Sequence, residues 1–308
     1  MKKNAYFINS MPSCFFKYQK RLFVLLFGAL FFISCSEVET EEFNFQFQVP
    51  ELEYEIENYL ELDSLLEYFG YELDSIHIYK KVPQVFVDQI TPSIKMLRSD
   101  EKKLNFIRII LAHTLKVNEE IAQTRIHLYK RLNKDTLAHK DSVWLDSLSD
   151  VYRVKRQNYS DLINKIDIIP PSLIIVQGII ESGWATSKYA IEGNNLFGMY
   201  GSRRVVTKTG DTRPKAKDYE TIGECVREYI TNLNRHGSYR RMREVRAEMR
   251  DLGLLITGKK LASTLMNYST LGERYVKKIV SMINIYDLEE YDQYSLKHGV
   301  VIKVKIQE

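Results

Sequence analysis

The sequence predicts a mainly α-helical protein: a helical domain with a small β-hairpin lobe, preceded by an N-terminal helical region. Three observations carry this. From Lys102 to Leu132 apolar residues recur at three-to-four spacing with no Pro or Gly. Leu173 to Ile180 is apolar on nearly every side, the mark of a buried helix. Val205 to Arg213 reads as one hairpin with Gly210-Asp211 at or near its turn.

Composition sets the limits. A chain of 308 residues with 44% hydrophobic and 27% charged residues has the profile of a folded soluble protein. Disordered, collagenous and multi-span membrane classes are excluded, and three cysteines exclude a disulfide scaffold. The net charge of +4 hides an asymmetry. Residues 36–79 hold thirteen acids and no Lys or Arg, so the body that follows is basic. Such a body suits polyanions in general.

Taken in order, Leu22 to Ile33 is a twelve-residue apolar run after Lys17, Lys20 and Arg21. It is too short for a permanent span and fits a signal-peptide core. Ser34-Cys35 follows, as in a bacterial lipoprotein signal, with Phe32 in place of the usual Leu. Cys35 is then the lipidated first residue of the mature chain. Residues 1–34 are expected to be the signal peptide and 35–79 an acidic tether. The alternation Glu51-Leu52-Glu53-Tyr54-Glu55-Ile56-Glu57 also permits a strand. Cys225, the other thiol of the mature chain, reads as a buried apolar residue.

Residues 80–160 are expected to form the N-terminal helical region. A third helix there spans Asp141 to Tyr159, with Val143, Trp144, Leu148 and Val151 as its apolar positions. His113, His127 and His139 show no metal-ligand spacing and read as structural or surface residues. No metal or other cofactor is expected. The Arg235–Arg250 run, with Glu244 and Glu248, reads as a solvated helix face.

The chemistry concentrates at residues 169–198. Pro170-Pro171-Ser172 suits a helix opening and Gly183 a helix end. Glu181 then sits on the last turn, where burial and the negative helix end both raise a carboxyl pKa. A carboxyl protonated near neutral pH can serve as a general acid. Gln177 lies one turn earlier on the same side.

Glu181-Ser182-Gly183-Trp184-Ala185-Thr186-Ser187, followed by Gly193-Asn194-Asn195-Leu196-Phe197-Gly198, resembles glycoside hydrolase family 73. These are bacterial endo-β-N-acetylglucosaminidases that cut peptidoglycan on a lysozyme-like helical fold. The similarity is closest to the Bax-like branch, which adds an N-terminal helical region. The branch usually has Gly where this chain has Ala185 and often Ala where it has Gly178. Asp218-Tyr219-Glu220-Thr221 and Tyr268-Ser269-Thr270-Leu271-Gly272-Glu273-Arg274-Tyr275-Val276 extend the resemblance. It implies a catalytic domain over 161–290, with 291–308 left as a C-terminal tail.

The resemblance implies Glu181 as the general acid and Tyr268 as a catalytic tyrosine. Asp211 is a candidate second acid, with Glu220 as another, and the substrate's own acetamido group offers a third route. Gln177, Trp184, Asn194, Asn195, Phe197 and Tyr275 are expected to bind substrate. The implied activity is hydrolysis of the β-1,4 bond between N-acetylglucosamine and N-acetylmuramic acid. A muramidase, a lytic transglycosylase and a non-catalytic glycan-binding lipoprotein are the alternatives. The expected partners are peptidoglycan strands and, through Cys35, the outer membrane on its periplasmic or surface face. Nucleic acid is not expected as a partner, and the chain is expected to be a monomer.

Overall fold

The computed structural model describes residues 50–206, 212–267 and 272–307. Strand alternation decides its first element. Glu51–Ile56 forms β1, with Leu52, Tyr54 and Ile56 turned inward and the glutamates outward. Asn58 caps the next helix, α1 (Tyr59–Tyr68), accepting from the Leu60 and Glu61 amides. Leu62, Leu65 and Leu66 form its buried face. Then follow α2 (Leu73–Tyr79), β2 (Lys81–Val82) and β3 (Val85–Val87).

The partner of β1 lies at the far end of the chain. Val301–Ile306 forms β7, the centre of a parallel sheet ordered β1-β7-β3. Ile302, Val304 and Ile306 are buried, while Lys303 and Lys305 stand opposite Glu53 and Glu55. Such opposed charges favour this register. Two expectations are corrected here. From residue 50 onward the acidic segment is folded, because its apolar residues pair and pack. Residues 291–308 are no tail, because their alternating pattern supplies the sheet's central strand.

Ser99–Leu132 is one helix, α3, of 34 residues. Its middle, Asn105 to Leu115, is buried without a break. The buried polar groups there are tied: Asn118 pairs through its amide with both the N–H and the C=O of Ile169. His113 donates Nε2–H to the Val87 carbonyl, and burial pushes its pKa down to about 4.

The third helix, α4, is His139–Tyr152, and α5 (Tyr159–Lys165) is separate. Its buried positions are Asp141, Leu145, Ser149 and Tyr152, with Val143 and Val151 exposed. The face was misread because two of its buried members are polar. Asp141 pairs with Arg131 and Lys134, and Ser149 donates to the Leu145 carbonyl.

Pro171–Ser182 is α6, packed against α3, α10 (Gly258–Ala262) and α11 (Glu273–Ile285). Between them lie α7 (Lys188–Gly193), the antiparallel hairpin β4 (Tyr200–Val206) and β5 (Thr212–Ala216), α8 (Ile222–Arg235) and α9 (Arg240–Asp251). A two-residue strand, β6 (Ser295–Leu296), pairs with β2. The predicted hairpin is therefore present, and its strands run longer than the sequence pattern.

The arginine run is not all solvated. Arg243 donates to the Leu233 and His236 carbonyls. Arg246, fully buried, donates to the carbonyls of Asn164, Asp167 and Ile168 and to Asn234 Oδ1. Arg250 forms a fork on the Asp167 carboxylate, at 2.7 and 2.5 Å. Arg240 and Arg241, paired with Glu244 and Glu248, keep the expected solvated face.

The opening of α6 is capped from afar. Pro170 offers no side-chain acceptor, so Asp292 takes the part. Its Oδ1 accepts the Ser172 amide, and its Oδ2 accepts the Ser172 hydroxyl and the Gly258 amide. One carboxylate thus holds the starts of α6 and α10. Burial nevertheless raises the Asp292 pKa to about 6, against the pull of these donors. A raised carboxyl pKa favours folding below the unfolded value and loses that contribution as pH rises through the folded one. The melting temperature of Asp292→Asn relative to wild type should therefore move in the variant's favour from about pH 4 to about pH 7. A gap in melting temperature that stays constant with pH would show an ordinary carboxyl.

Candidate active site

The segment after Glu181 is a tight reversal built residue by residue. Gly183, Trp184 and Ala185 have φ of 60°, 62° and 62°, three left-handed residues in succession. Glycine takes this conformation freely, whereas a side chain there costs about 1–2 kcal/mol. Ser182 ties the turn by donating to the Gly178 carbonyl at 2.6 Å and accepting the Ala185 amide at 2.9 Å. Ser187 then caps α7 by accepting from the Ala190 amide. The turn swings Trp184 between Phe106 and Tyr286, edge-on to both, at centroid distances of 5.6 and 5.0 Å.

This reversal leaves Glu181 at the open end of a buried helix. Residues 171–179 are buried, whereas the Glu181 side chain reaches solvent. Partial burial of its carboxyl raises the pKa above the ordinary value, and Lys278 on α11 pulls it down. Gly198 closes the other side at φ 62°, and a Cβ there would lie 3.3 Å from Glu181 Oε2. Among the described residues no other carboxylate acts on Glu181.

The other expected site residues divide sharply. Gln177 is fully buried, and neither polar atom of its amide has a partner among the described residues. Trp184 is half-buried, with two aromatic neighbours. Tyr275 is buried on the inner side of α11, in line with Ile279 and Ile283. Phe197 belongs to the core, stacked on Tyr229 at 4.2 Å. Asp211 and Tyr268 lie outside the described residues, as does Cys35. Cys225 is buried, and desolvation pushes its thiol up to about 12.

Asn194 and Asn195 correct the expectation of a polar groove floor. Asn194 accepts from the Ile90 amide and donates to the carbonyls of Tyr219 and Glu220. Asn195 accepts from the Met199 amide and donates to the carbonyls of Met199 and Lys217. Both amides are engaged within the protein and nearly inaccessible, so they pin the hairpin and the 88–90 segment instead of a sugar. Lys278 and Gly198 are the functional neighbours that residue types alone did not single out. Lys278 shows no motif; only the packing of α11 on α6 brings it near.

Two outcomes follow from this geometry. Asn194→Ala should lower stability by about 1–3 kcal/mol in chemical denaturation, since it leaves the buried Ile90 amide unpaired and removes a donor from the Tyr219 and Glu220 carbonyls. Ala185→Gly should raise stability by up to about 1 kcal/mol in the same measurement, by removing a Cβ from a left-handed position.

Residues 156–288 match the Glucosaminidase family, described as mannosyl-glycoprotein endo-β-N-acetylglucosaminidase. The chain is 28% identical over 187 residues to protein bax of Escherichia coli, covering 59% of this chain and 68% of that protein. It is also 28% identical over 169 residues to the exo-glucosaminidase LytG of Bacillus subtilis, covering 50% of this chain and 54% of that protein. The matched residues run from just before α5 to the end of α11, and so include Glu181, its reversal and the hairpin. Residues 156–288 are therefore similar to the glucosaminidase family of glycoside hydrolases, and the two relatives share that similarity with the chain.

Proposed function

We propose that the protein is a peptidoglycan hydrolase that cleaves the β-1,4 bond between N-acetylglucosamine and N-acetylmuramic acid, with Glu181 as general acid. The observation that carries this reading is a single carboxyl with a raised pKa, held at the solvent-facing end of a rigid buried helix. Partial desolvation favours the protonated form relative to a fully solvated carboxyl, and access to solvent lets a glycosidic oxygen reach it. Proton donation to that oxygen lets the sugar leave as an oxocarbenium-like species.

The second half of the reaction needs a base or a nucleophile. A retaining pair of carboxylates sits about 5–5.5 Å apart and would couple electrostatically. No described carboxylate acts on Glu181 in this way. The reading therefore draws the second group from Asp211 in the hairpin loop, or from the acetamido group of the substrate. In this reading Gln177 is a substrate-binding residue one helical turn before Glu181, and Tyr268 is the catalytic tyrosine whose phenol would hydrogen-bond the acetamido group. The family description carries an endo activity and the LytG name an exo one, so the position of the cut along the strand is part of the test.

In this reading Cys35 carries the lipid and holds the enzyme at the outer membrane as a monomer. Fourteen residues, 36–49, separate Cys35 from the described fold. Fully extended, they would reach at most about 50 Å.

Mass spectrometry of fragments from purified peptidoglycan tests the bond and the acid together. Wild type should release reducing-end N-acetylglucosamine, and Glu181→Gln should be slower by about a thousandfold or more with an unchanged melting curve. Anhydro-muramic ends would instead identify a transglycosylase. Lys278→Gln removes the cation that lowers the Glu181 pKa, so the basic limb of the pH–rate profile should move to higher pH. An unmoved limb would mean that a different group limits the rate there.

A further inference from the structure

The described strands of the hairpin next to Glu181 carry an excess of positive charge. Its base lies two residues beyond Gly198, the residue that abuts the Glu181 carboxylate. The described strands β4 and β5 hold Arg203, Arg204, Arg213 and Lys215 and no acidic residue. Arg204 donates to the Thr212 carbonyl, and Lys215 pairs with Asp218. Among the described residues Arg203 and Arg213 have no ion-pair partner, and both are exposed.

The opposite side repeats the pattern. Arg274 and Lys278 stand one turn apart on the exposed face of α11, and Lys278 acts on Glu181. Like charges at this spacing repel each other and destabilise a helix. Glu273 does not relieve them, since it pairs with Lys277. The arginines of α9, by contrast, are turned inward or paired with glutamates. Cations without a described ion pair thus stand on the hairpin that follows Gly198 and on α11, the two elements next to the proposed acid.

We infer that these cations bind the free carboxylates of the peptide stems on the glycan, so that the enzyme favours stem-bearing, anionic strands over bare ones. This rests on the peptidoglycan reading above and adds the substrate feature that is recognised. Exposed guanidinium groups suit carboxylates through paired N–H donors. Arg203 and Arg213 act on binding and not on the reacting bond.

The test separates binding from turnover. Full-length Glu181→Gln is sedimented with purified sacculi, either native or with stem carboxylates converted to amides by carbodiimide and ammonia. Amidation should weaken binding by about five- to tenfold, the scale of two exposed ionic contacts. The added double change Arg203→Gln/Arg213→Gln should weaken binding to native sacculi by a similar factor and leave binding to amidated sacculi unaltered. Equal affinity for both preparations would overturn the inference, whether or not wild type hydrolyses the glycan. Binding that ignores amidation but follows anionic phospholipid vesicles would overturn it in favour of a membrane surface. Failure of the hydrolysis itself is read separately, from wild-type fragments in the mass spectrum.

Discussion

A carboxyl that is both partly desolvated and open to solvent, as Glu181 is, needs a support that ends abruptly. Here that support is α6. Its apolar flanks fix it against α3, α10 and α11, and Asp292 fixes its start. Its end is set by three left-handed residues in a row, an arrangement the chain would not adopt unless tied. Ser182 supplies the tie by bonding in both directions, to the turn before and the turn after. Every other feature of the site, from the raised Glu181 pKa to the approach of Gly198, depends on where this helix stops.

Buried polar groups do much of the positioning. Asn118 treats the backbone at Ile169 as a strand neighbour would, bonding both of its peptide groups. Asn194 and Asn195 do the same for the segments that carry the hairpin. Arg246 gathers three carbonyls and Asn234 into one node beneath the start of the catalytic region. Removing one partner from such a node leaves buried groups unpaired, which costs more than the bond itself contributes. These ties link residues far apart in the chain, so the 88–132 region and the region after 156 are held as parts of one body.

What the sequence made legible follows from range. The boundaries of α6, the continuity of α3 and the presence of the hairpin are local matters of periodicity, Pro and Gly, and they could be read directly. The role of residues 50–56 could not, because β1 is defined by a partner 250 residues away. The same blindness turned β7 into a tail, although Ile302, Val304 and Ile306 alternate with lysines. The asparagine pair failed for a different reason. Amides suit both a sugar and a backbone, and only the surrounding carbonyls decide which they meet. Arg243, Arg246 and Arg250 share one helical side as spacing requires, yet spacing does not say whether that side faces water.

The distribution of charge then separates stability from recognition. Arg125 and Arg246 inside the fold and Arg250 at its surface converge on the buried Asp167, which offsets part of the cost of burying Arg246 and Asp167. At the hairpin Arg203 and Arg213, and on the outer face of α11 Arg274 and Lys278, have no ion-pair partner among the described residues and are exposed. Charges of this second kind contribute little to folding and can even oppose it. Their charge is available to a ligand, and under the proposed function the Glu181 carboxyl would be neutral when it acts as an acid. A substrate bringing its own carboxylates would be drawn in without competing for Glu181. In the proposed reading attraction on the hairpin side rests on Arg203 and Arg213 and proton transfer on Glu181, whereas Lys278 touches both because it also lowers the Glu181 pKa.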